Sequence, residues 1–191
     1  VAFAGINFAD LLMRLGLYQP RPEYPFTPGY EMSGTVDAIG DGVEGFSVGQ
    51  RVVAGVRNGG QSSHVLVSAN KALVLPESIS LEVAAAIPVT YLTAHHMLHH
   101  LGHITPDESV LIHGGAGGVG TAALQLCQWA GVTQVWATAS GGKASTIEGF
   151  GGVAIDRHNE DFVQVIKQAT DGKGVDHILD PIGGDNLARS L

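Results

Sequence analysis

Residues 109–120 read S-V-L-I-H-G-G-A-G-G-V-G, a short apolar run that leads into five glycines. Apolar side chains then recur at helical spacing over residues 119–130, so the stretch predicts a strand, a tight turn and a helix. Gly115, Gly117 and Gly120 have the G-x-G-x-x-G spacing in the context that gives it meaning. We expect Gly115 to permit the turn, Gly117 to let the backbone approach a pyrophosphate, and Gly120 to let the helix pack closely.

The start of this helix offers backbone N–H groups to an anion. Those of Gly118 and Val119 lie in its first turn, where the positive end of the helix dipole also favours phosphate. The motif therefore predicts dinucleotide binding. The alternative is a Gly-rich turn with a structural role only.

The composition is that of a folded, acidic chain. Its 191 residues are 45% hydrophobic and 15% charged, with 27 glycines and a formal charge of −8. The negative charge and the lack of a Lys/Arg cluster argue against nucleic-acid binding. There is no apolar run of membrane-spanning length and no signal-peptide pattern, so we expect a cytoplasmic protein. The single cysteine, Cys127, excludes an internal disulfide framework and is expected to be a buried structural thiol.

Residues 1–89 are predicted to be rich in β-structure, because glycine and proline separate short apolar runs. One helix is expected over Phe8–Leu15. The Ala-rich segment Ser80–Leu98 predicts one or two helices around Pro88, with Ser80 as N-cap. The apolar runs that we expect to form strands are 34–36, 51–54, 63–67 and 72–76.

From Ser109 onward, predicted strands and helices alternate, which indicates a parallel sheet with crossover helices. Asn159 is the expected cap of the last predicted helix. The chain opens inside an element, without Met, and stops soon after a strand, so we expect a fragment of a longer protein. The predicted strands are 109–113, 134–139, 153–155 and 175–180, and the predicted helices are 118–130, 143–150 and 160–169.

The residues beyond the glycine motif bear on which dinucleotide binds. NAD sites place a carboxylate about 20 residues past the motif, but no Asp or Glu lies between Gly120 and Glu148. Instead Ser140 and Lys143 follow the second strand, and Arg157 follows the third. A hydroxyl and two cations suit the 2′-phosphate of NADPH. Alternatively, the two cations are ordinary solvated surface charges.

Motifs spread over nearly the whole chain resemble those of medium-chain dehydrogenases/reductases. The similarity is to the zinc-independent quinone oxidoreductase branch, especially the vesicle amine transport protein 1 homologues. It rests on segments 5–10, 16–18, 28–31, 48–52, 84–86, 91–94, 138–143 and 180–184 and on the glycine loop. The resemblance implies an α/β fold in two parts. Residues 1–89 would be a GroES-like β-rich catalytic domain without its first strands. Residues 90–191 would be a Rossmann NADP-binding domain, a doubly wound parallel sheet without its C-terminal half.

The same resemblance bears on metal binding. Zinc-dependent relatives place a cysteine ligand where this chain has Asn7 and a histidine ligand where it has Tyr30. A structural zinc lobe would need four closely spaced cysteines, and the chain has one. We therefore expect no metal site.

What the resemblance implies about activity is hydride transfer from NADPH to a quinone or an α,β-unsaturated carbonyl. It places Asn7 and Tyr18 beside the nicotinamide and substrate, Thr93 near the nicotinamide, and Asp10 where it could orient that wall. Alternatively, Asn7 only caps the first helix and Asp10 only supports it. Bacterial quinone oxidoreductases have a tyrosine where this chain has Leu12, so protonation would come from water. A tyrosine of the family is likewise replaced by Arg157.

Two further readings stay open from the sequence. One is an enoyl reductase, free-standing or part of a polyketide synthase. The other is a crystallin-like or vesicle-associated protein that binds NADPH without catalysis. A homodimer is expected at full length.

Histidines 95, 96, 99, 100 and 103 form i,i+4 pairs, and we interpret them as a solvated helix end rather than a metal site.

Overall fold

A computed structural model of the chain describes residues 1–19 and 22–191 and divides into two units, Val1–Val89 and Thr90–Leu191. In the first unit, an antiparallel sheet has the order β1-β2-β3-β4. Its strands are β1 (Phe3–Ala4), β2 (Glu31–Thr35), β3 (Arg51–Gly55) and β4 (Ala72–Val74). The helices of this part are α1 (Phe8–Arg14), α2 (Leu81–Ala85) and α3 (Pro88–His95), the last of which continues into the second unit.

Local signals account for the helices of this unit. Ser80 caps α2, since its hydroxyl accepts from the backbone N–H of Val83 at 3.2 Å. Pro88 begins α3 at the first helical position, where a missing N–H is tolerated. The expected capped helix and the break at Pro88 are both confirmed.

The strand expected at residues 63–67 is absent. Ser63 and His64 form bends, residues 65–67 are irregular, and the segment pairs with no strand in the described part of the unit. Val65 and Val67 instead line a cavity of about 410 Å³, together with Met32, Val36 and Val52. The apolar alternation there reflects side chains that line a cavity, so it does not require a strand.

The second unit is a parallel sheet with helices on both faces. The strands are β5 (Ser109–His113), β6 (Gln134–Ala139), β7 (Val153–Asp156) and β8 (His177–Leu179), in the order β7-β6-β5-β8. The helices are α4 (Gly118–Trp129), α5 (Ala144–Glu148), α6 (Phe162–Ala169) and α7 (Asp185–Arg189). The order reverses at β5, which is the switch point where doubly wound sheets bind ligands. The α/β fold with a partial GroES-like part and a partial Rossmann sheet is confirmed.

Alternate residues of β5 belong to two hydrophobic clusters. Val110 and Ile112 pack in a cluster with α4, which also buries Cys127 as expected. Burial raises the pKa of the Cys127 thiol to about 11. Leu111 packs in the second cluster, with Phe162 and Ile166 of α6. This near-continuous apolar pattern is typical of a strand buried on both faces.

The predicted cap of α6 is wrong by two residues. The carboxylate of Asp161 accepts from the backbone N–H of Val163 at 3.0 Å and caps the helix. The Asn159 side chain instead donates to Asp156 at 2.6 Å. Both residue types favour N-caps, so sequence alone did not separate them. Helix α7 was not predicted.

Within residues 1–19 and 22–191, no helix has both the length and the apolar character needed to cross a bilayer.

Candidate functional site

The glycine loop joins β5 to α4 at the switch point of the parallel sheet. Its positive backbone φ lies at Gly114, at +70°, and not at Gly115. The left-handed backbone conformation of the turn thus falls on Gly114. Gly115 is required for another reason, because a β-carbon there would lie 2.5 Å from the Ala137 methyl on β6. Its backbone N–H also donates to the carbonyl of Thr138 at 2.9 Å.

The remaining glycines of the loop are held close to other backbone or side-chain atoms. A β-carbon on Gly120 would overlap the Gly114 carbonyl oxygen and the Gly115 backbone, so the helix packs against its own loop. A β-carbon on Gly117 would lie 3.2 Å from the Gly114 oxygen. One on Gly118 would lie 3.0 Å from the Thr90 methyl on α3. Thr93, exposed on the same helix, lies almost one turn further on.

This loop fits the phosphates of a dinucleotide. Helix α4 begins at Gly118, with Gly117 in the N-cap position. The first N–H groups of an α-helix, here including those of Gly118 and Val119, have no intrahelical acceptor and favour an anion. The absence of β-carbons in the loop leaves that surface open to close approach.

The three residues predicted to bind a 2′-phosphate lie at one edge of this sheet. Ser140 directly follows β6, and its carbonyl accepts from the backbone N–H of Lys143 at 2.8 Å. Arg157 directly follows β7, and its N–H donates to the Ala139 carbonyl at 2.9 Å. The parallel register of β6 and β7 thus brings the ends of both strands together.

Sequence reasoning missed Asp156 at this edge. The backbone N–H of His158, the Asn159 amide and the backbone N–H of Gly141 hold the pKa of the Asp156 carboxyl below its usual range. A carboxylate therefore does lie near the proposed phosphate position, supplied by the third strand instead of the second. Asp156 pairs with Ala139 of β6, and its place at this edge follows from that strand register, which the sequence alone does not give.

A buried histidine stands directly before the loop. His113, fully buried at the end of β5, has its Nδ1 3.2 Å from the Thr138 hydroxyl, which accepts from the Gly114 N–H at 3.2 Å. Its Nε2 lies 3.2 Å from the Ser190 hydroxyl. Burial lowers the pKa of His113, and the charge of Asp180 opposes that shift.

The first unit gathers a separate cluster of polar residues, which we call the amide cluster: Asn7, Asp10, Gly29 and Glu31. The Asp10 side chain is only 1% exposed and accepts from the backbone N–H of Asn7 at 2.8 Å and of Gly29 at 3.0 Å. The Asn7 side-chain amide donates to Glu31 at 2.7 Å. The predicted pair Asn7 and Asp10 is therefore in direct contact, and Glu31 is a member that the sequence did not single out.

Two tyrosines lie next to this cluster. The rings of Tyr18 and Tyr30 meet edge to face, with centroids 6.0 Å apart. Burial raises the pKa of the Tyr30 phenol, and Tyr18 and Asp10 add to the shift. The Tyr30 phenol is therefore protonated at neutral pH. The 410 Å³ cavity of the same unit is lined by none of Asn7, Asp10, Tyr18 or Tyr30, so it is not the candidate site.

In the histidine-rich segment, four of the five histidines are exposed, as expected of a solvated helix end, and His99 is half-buried. Residues His96–Leu101 form a π-helical turn after α3. The pairs His95/His99 and His96/His100 have ring centroids 4.8 Å apart, and His99 also contacts the Trp129 ring. Burial, with His95, lowers the pKa of His99. In the part of the chain that the structure describes, no three His, Cys, Asp or Glu side chains gather as metal ligands would.

Comparison with known proteins places this chain in a family. The alcohol dehydrogenase GroES-like domain family matches residues 1–77, and the family described as zinc-binding dehydrogenase matches residues 118–191. The synaptic vesicle membrane protein VAT-1 homolog of Danio rerio is 43% identical over 191 residues, which cover 99% of this chain and 39% of that protein. The chain belongs to the medium-chain dehydrogenase/reductase family, in its quinone oxidoreductase branch.

Solved structures agree with the fold. Escherichia coli quinone oxidoreductase complexed with NADPH superimposes with a TM-score of 0.92 at 38% identity, over 98% of this chain and 58% of that one. The CurK enoyl reductase gives a TM-score of 0.91 at 35% identity, over 98% of this chain and 59% of that one. The chain spans under half the length of the VAT-1 homologues and under two thirds of these two structures.

Proposed function

We propose that the protein is an NADPH-dependent reductase that transfers hydride to a quinone or an α,β-unsaturated carbonyl without a metal ion. The observation that carries this proposal is the glycine loop at the switch point, where Gly115 and Gly120 have no room for a β-carbon and a helix begins at the loop. Its oxidoreductase relatives, which include quinone and enoyl reductases, support the reaction class.

The cofactor preference rests on the edge formed by Ser140, Lys143 and Arg157. Both cations are exposed there, so they are available to a 2′-phosphate, and each charge-assisted hydrogen bond contributes roughly 1.5–3 kcal/mol. The Asp156 carboxylate works against an added phosphate charge. It is engaged by the N–H groups of Gly141 and His158 and by the Asn159 amide. The two cations outweigh it in this proposal.

The bound nicotinamide would supply the hydride, and the protein would hold the acceptor and manage the proton. Asn7, whose backbone N–H is held by Asp10, would bind and orient the acceptor through its side-chain amide. By the resemblance to the family, Tyr18 would lie beside the acceptor and Thr93 near the nicotinamide. A conjugated, electron-poor acceptor needs no Lewis acid, and Asn7 and Tyr30 stand where zinc-dependent relatives have ligands. The proton comes from water or from the Tyr30 phenol, and Tyr30→Phe separates these two sources.

Enoyl reduction is the second candidate function. The CurK enoyl reductase and a highly reducing polyketide synthase are both among the relatives. The chemistry is the same hydride transfer to a conjugated carbonyl, but the acceptor is a thioester. Turnover of a crotonyl thioester at a rate above that of simple quinones and enones would favour it.

The cofactor test compares NADPH and NADH titrations of the full-length protein and its Lys143→Ala variant. We expect the wild type to prefer NADPH, and Lys143→Ala to weaken NADPH binding by about tenfold or more, since one charge-assisted bond is lost. NADH affinity should stay unchanged. Lys173→Ala, which removes another exposed lysine of the same unit, is the matched control. Equal affinities of the wild type for the two cofactors would refute the assignment.

A further inference from the structure

Glu31 is a buried carboxylate with no assigned task. It begins β2, is only 2% exposed, and accepts two hydrogen bonds. Asn7 Nδ2 donates at 2.7 Å to one carboxylate oxygen, and the backbone N–H of Val89 donates at 2.8 Å to the other. Both donors are neutral, and no salt bridge involves Glu31 in residues 1–19 and 22–191. Burying a charge this way is costly, so the carboxylate calls for an explanation.

The surrounding backbone is built to accept this side chain. In the β1–β2 register, Ala4 pairs with Met32, which brings Gly5 opposite Glu31. A β-carbon on Gly5 would overlap the Glu31 carboxylate. A glycine at that position is therefore required for Glu31 to reach Asn7.

The contact fixes which end of the Asn7 amide faces inward. A carboxylate can only accept, so the amide nitrogen must lie against Glu31. The carbonyl oxygen Oδ1 of Asn7 then lies on the other side, at the start of helix α1, where Asn7 and Asp10 form a capping box. Asp10 holds the backbone of the same residue. Two buried carboxylates thus fix Asn7, one through its main chain and one through its side chain.

We propose that Glu31 is the positioning residue that holds the Asn7 amide in the orientation hydride transfer requires. This inference rests on the proposed function, in which Asn7 touches the reactants. Both oxygens of Glu31 act as acceptors, and a glutamine offers only one. In Glu31→Gln, one N–H donor must face an amide NH₂, and the Asn7 side chain loses its fixed orientation or Val89 loses its bond.

The experiment measures steady-state oxidation of NADPH with 1,4-benzoquinone and 3-penten-2-one by the full-length protein. The variants are Glu31→Gln, Asn7→Ala and the double variant. Ser33→Ala is the matched control, because Ser33 is equally buried on the same strand but bonds to the Leu81 carbonyl instead. Far-ultraviolet circular dichroism gives the folded fraction for each.

We expect Glu31→Gln to lower kcat by about 10- to 100-fold, which is the usual effect of misplacing a reacting geometry by about 1 Å. KM for NADPH should change by less than about twofold. The double variant should be no slower than Asn7→Ala alone, since nothing is left to position. Ser33→Ala should lower thermal stability and leave kcat unchanged.

A second pair keeps the test decisive if Glu31→Gln does not fold. In Asn7→Asp combined with Glu31→Gln, the glutamine amide can donate to the new carboxylate while its oxygen still accepts from Val89. We expect kcat of this exchanged pair to exceed that of Asn7→Asp alone, in which two carboxylates face each other. No gain would contradict the inference.

The remaining outcomes separate the two claims. Turnover by the wild type with an unchanged kcat in Glu31→Gln would overturn the positioning role and leave the proposed function standing. Fully additive losses in the double variant would do the same. No turnover by the wild type with either acceptor, or with a crotonyl thioester, would overturn the proposed function and this inference with it.

Discussion

The two units build their candidate sites by opposite means. The glycine loop of the second unit is one continuous stretch, Gly114–Gly120, whose geometry follows from the lack of side chains. The amide cluster of the first unit joins residues distant in sequence, with hydrogen bonds that span 24 positions from Asn7 to Glu31 and 58 from Glu31 to Val89. The glycine loop is therefore encoded by a single segment of sequence, whereas the amide cluster forms only when distant segments come together in the fold.

The cores of the units differ in the same way. The second unit buries large apolar clusters on both faces of its sheet. In the first unit, the cluster of Val53, Leu75 and Ala84 is small, and fully buried polar side chains stand beside it. The polar residues proposed to act in catalysis there also hold the fold together. A change in them should therefore affect stability and activity jointly.

The largest effect should come from Gly120→Ala, which would break the local site. The added methyl would meet the backbone of Gly114 and Gly115, which cannot move aside, so we expect the free energy of unfolding to fall by about 3 kcal/mol or more. Dinucleotide binding should be lost with it. Gly142→Ala is the control, since nothing lies within 4 Å of the position a β-carbon would take. Chemical denaturation of both variants checks this. Equal stabilities would show that the loop is not close-packed.

A smaller effect should come from Asp10→Asn, which tests the long-range site. The two Asp10 oxygens accept from the N–H groups of Asn7 and Gly29, and an asparagine would turn a donor toward one of them. We expect a loss of about 1–3 kcal/mol in the free energy of unfolding. Asp41→Asn, in an exposed turn, should change it little. If the two variants match in stability, Asp10 does not hold helix α1 to the Gly29 loop.

The smallest effect should appear at His113, where the second unit also uses a partly buried polar contact between residues 77 positions apart. Burial lowers its pKa, so the folded state binds fewer protons than the unfolded state. The contribution of His113 to the free energy of unfolding is therefore complete above about pH 6.5, its unfolded pKa, and is lost as the pH falls toward its folded pKa. His99, also lowered, acts with the same sign.

Denaturation of the wild type and His113→Gln at about pH 7 and about pH 5 measures this contribution. We expect the wild type to lose more stability between the two conditions than His113→Gln. The exposed His158→Gln variant should follow the wild type. If His113→Gln loses as much stability as the wild type, the acid sensitivity belongs to other groups. Asp156 and Asp176 are such groups, and their lowered pKa values make them lose stabilisation at lower pH.

The features that the sequence predicted correctly are those encoded by one segment, and most of those it missed depend on contacts between distant segments. The bounds of β5 and β6 were predicted correctly, because apolar runs and glycines mark them directly. The φ of Gly114 was missed because a G-x-G-x-x-G pattern does not say which glycine turns the chain. Glu31 and Asp156 were missed because each acts through a partner on another strand or loop. His113 read as the last residue of an apolar strand, and its contact with Ser190 depends on an unpredicted helix, α7.

Hydride transfer without a metal is the central claim, and one measurement tests it most directly. The full-length protein is dialysed against a chelator, analysed for zinc, and given NADPH deuterated at C4 with 3-penten-2-one. With both C4 hydrogens of NADPH replaced by deuterium, we predict that the zinc-free protein transfers one deuterium, as deuteride, to the carbon β to the carbonyl at an undiminished rate. Loss of turnover after dialysis, restored by zinc, or a product without deuterium, would contradict the account.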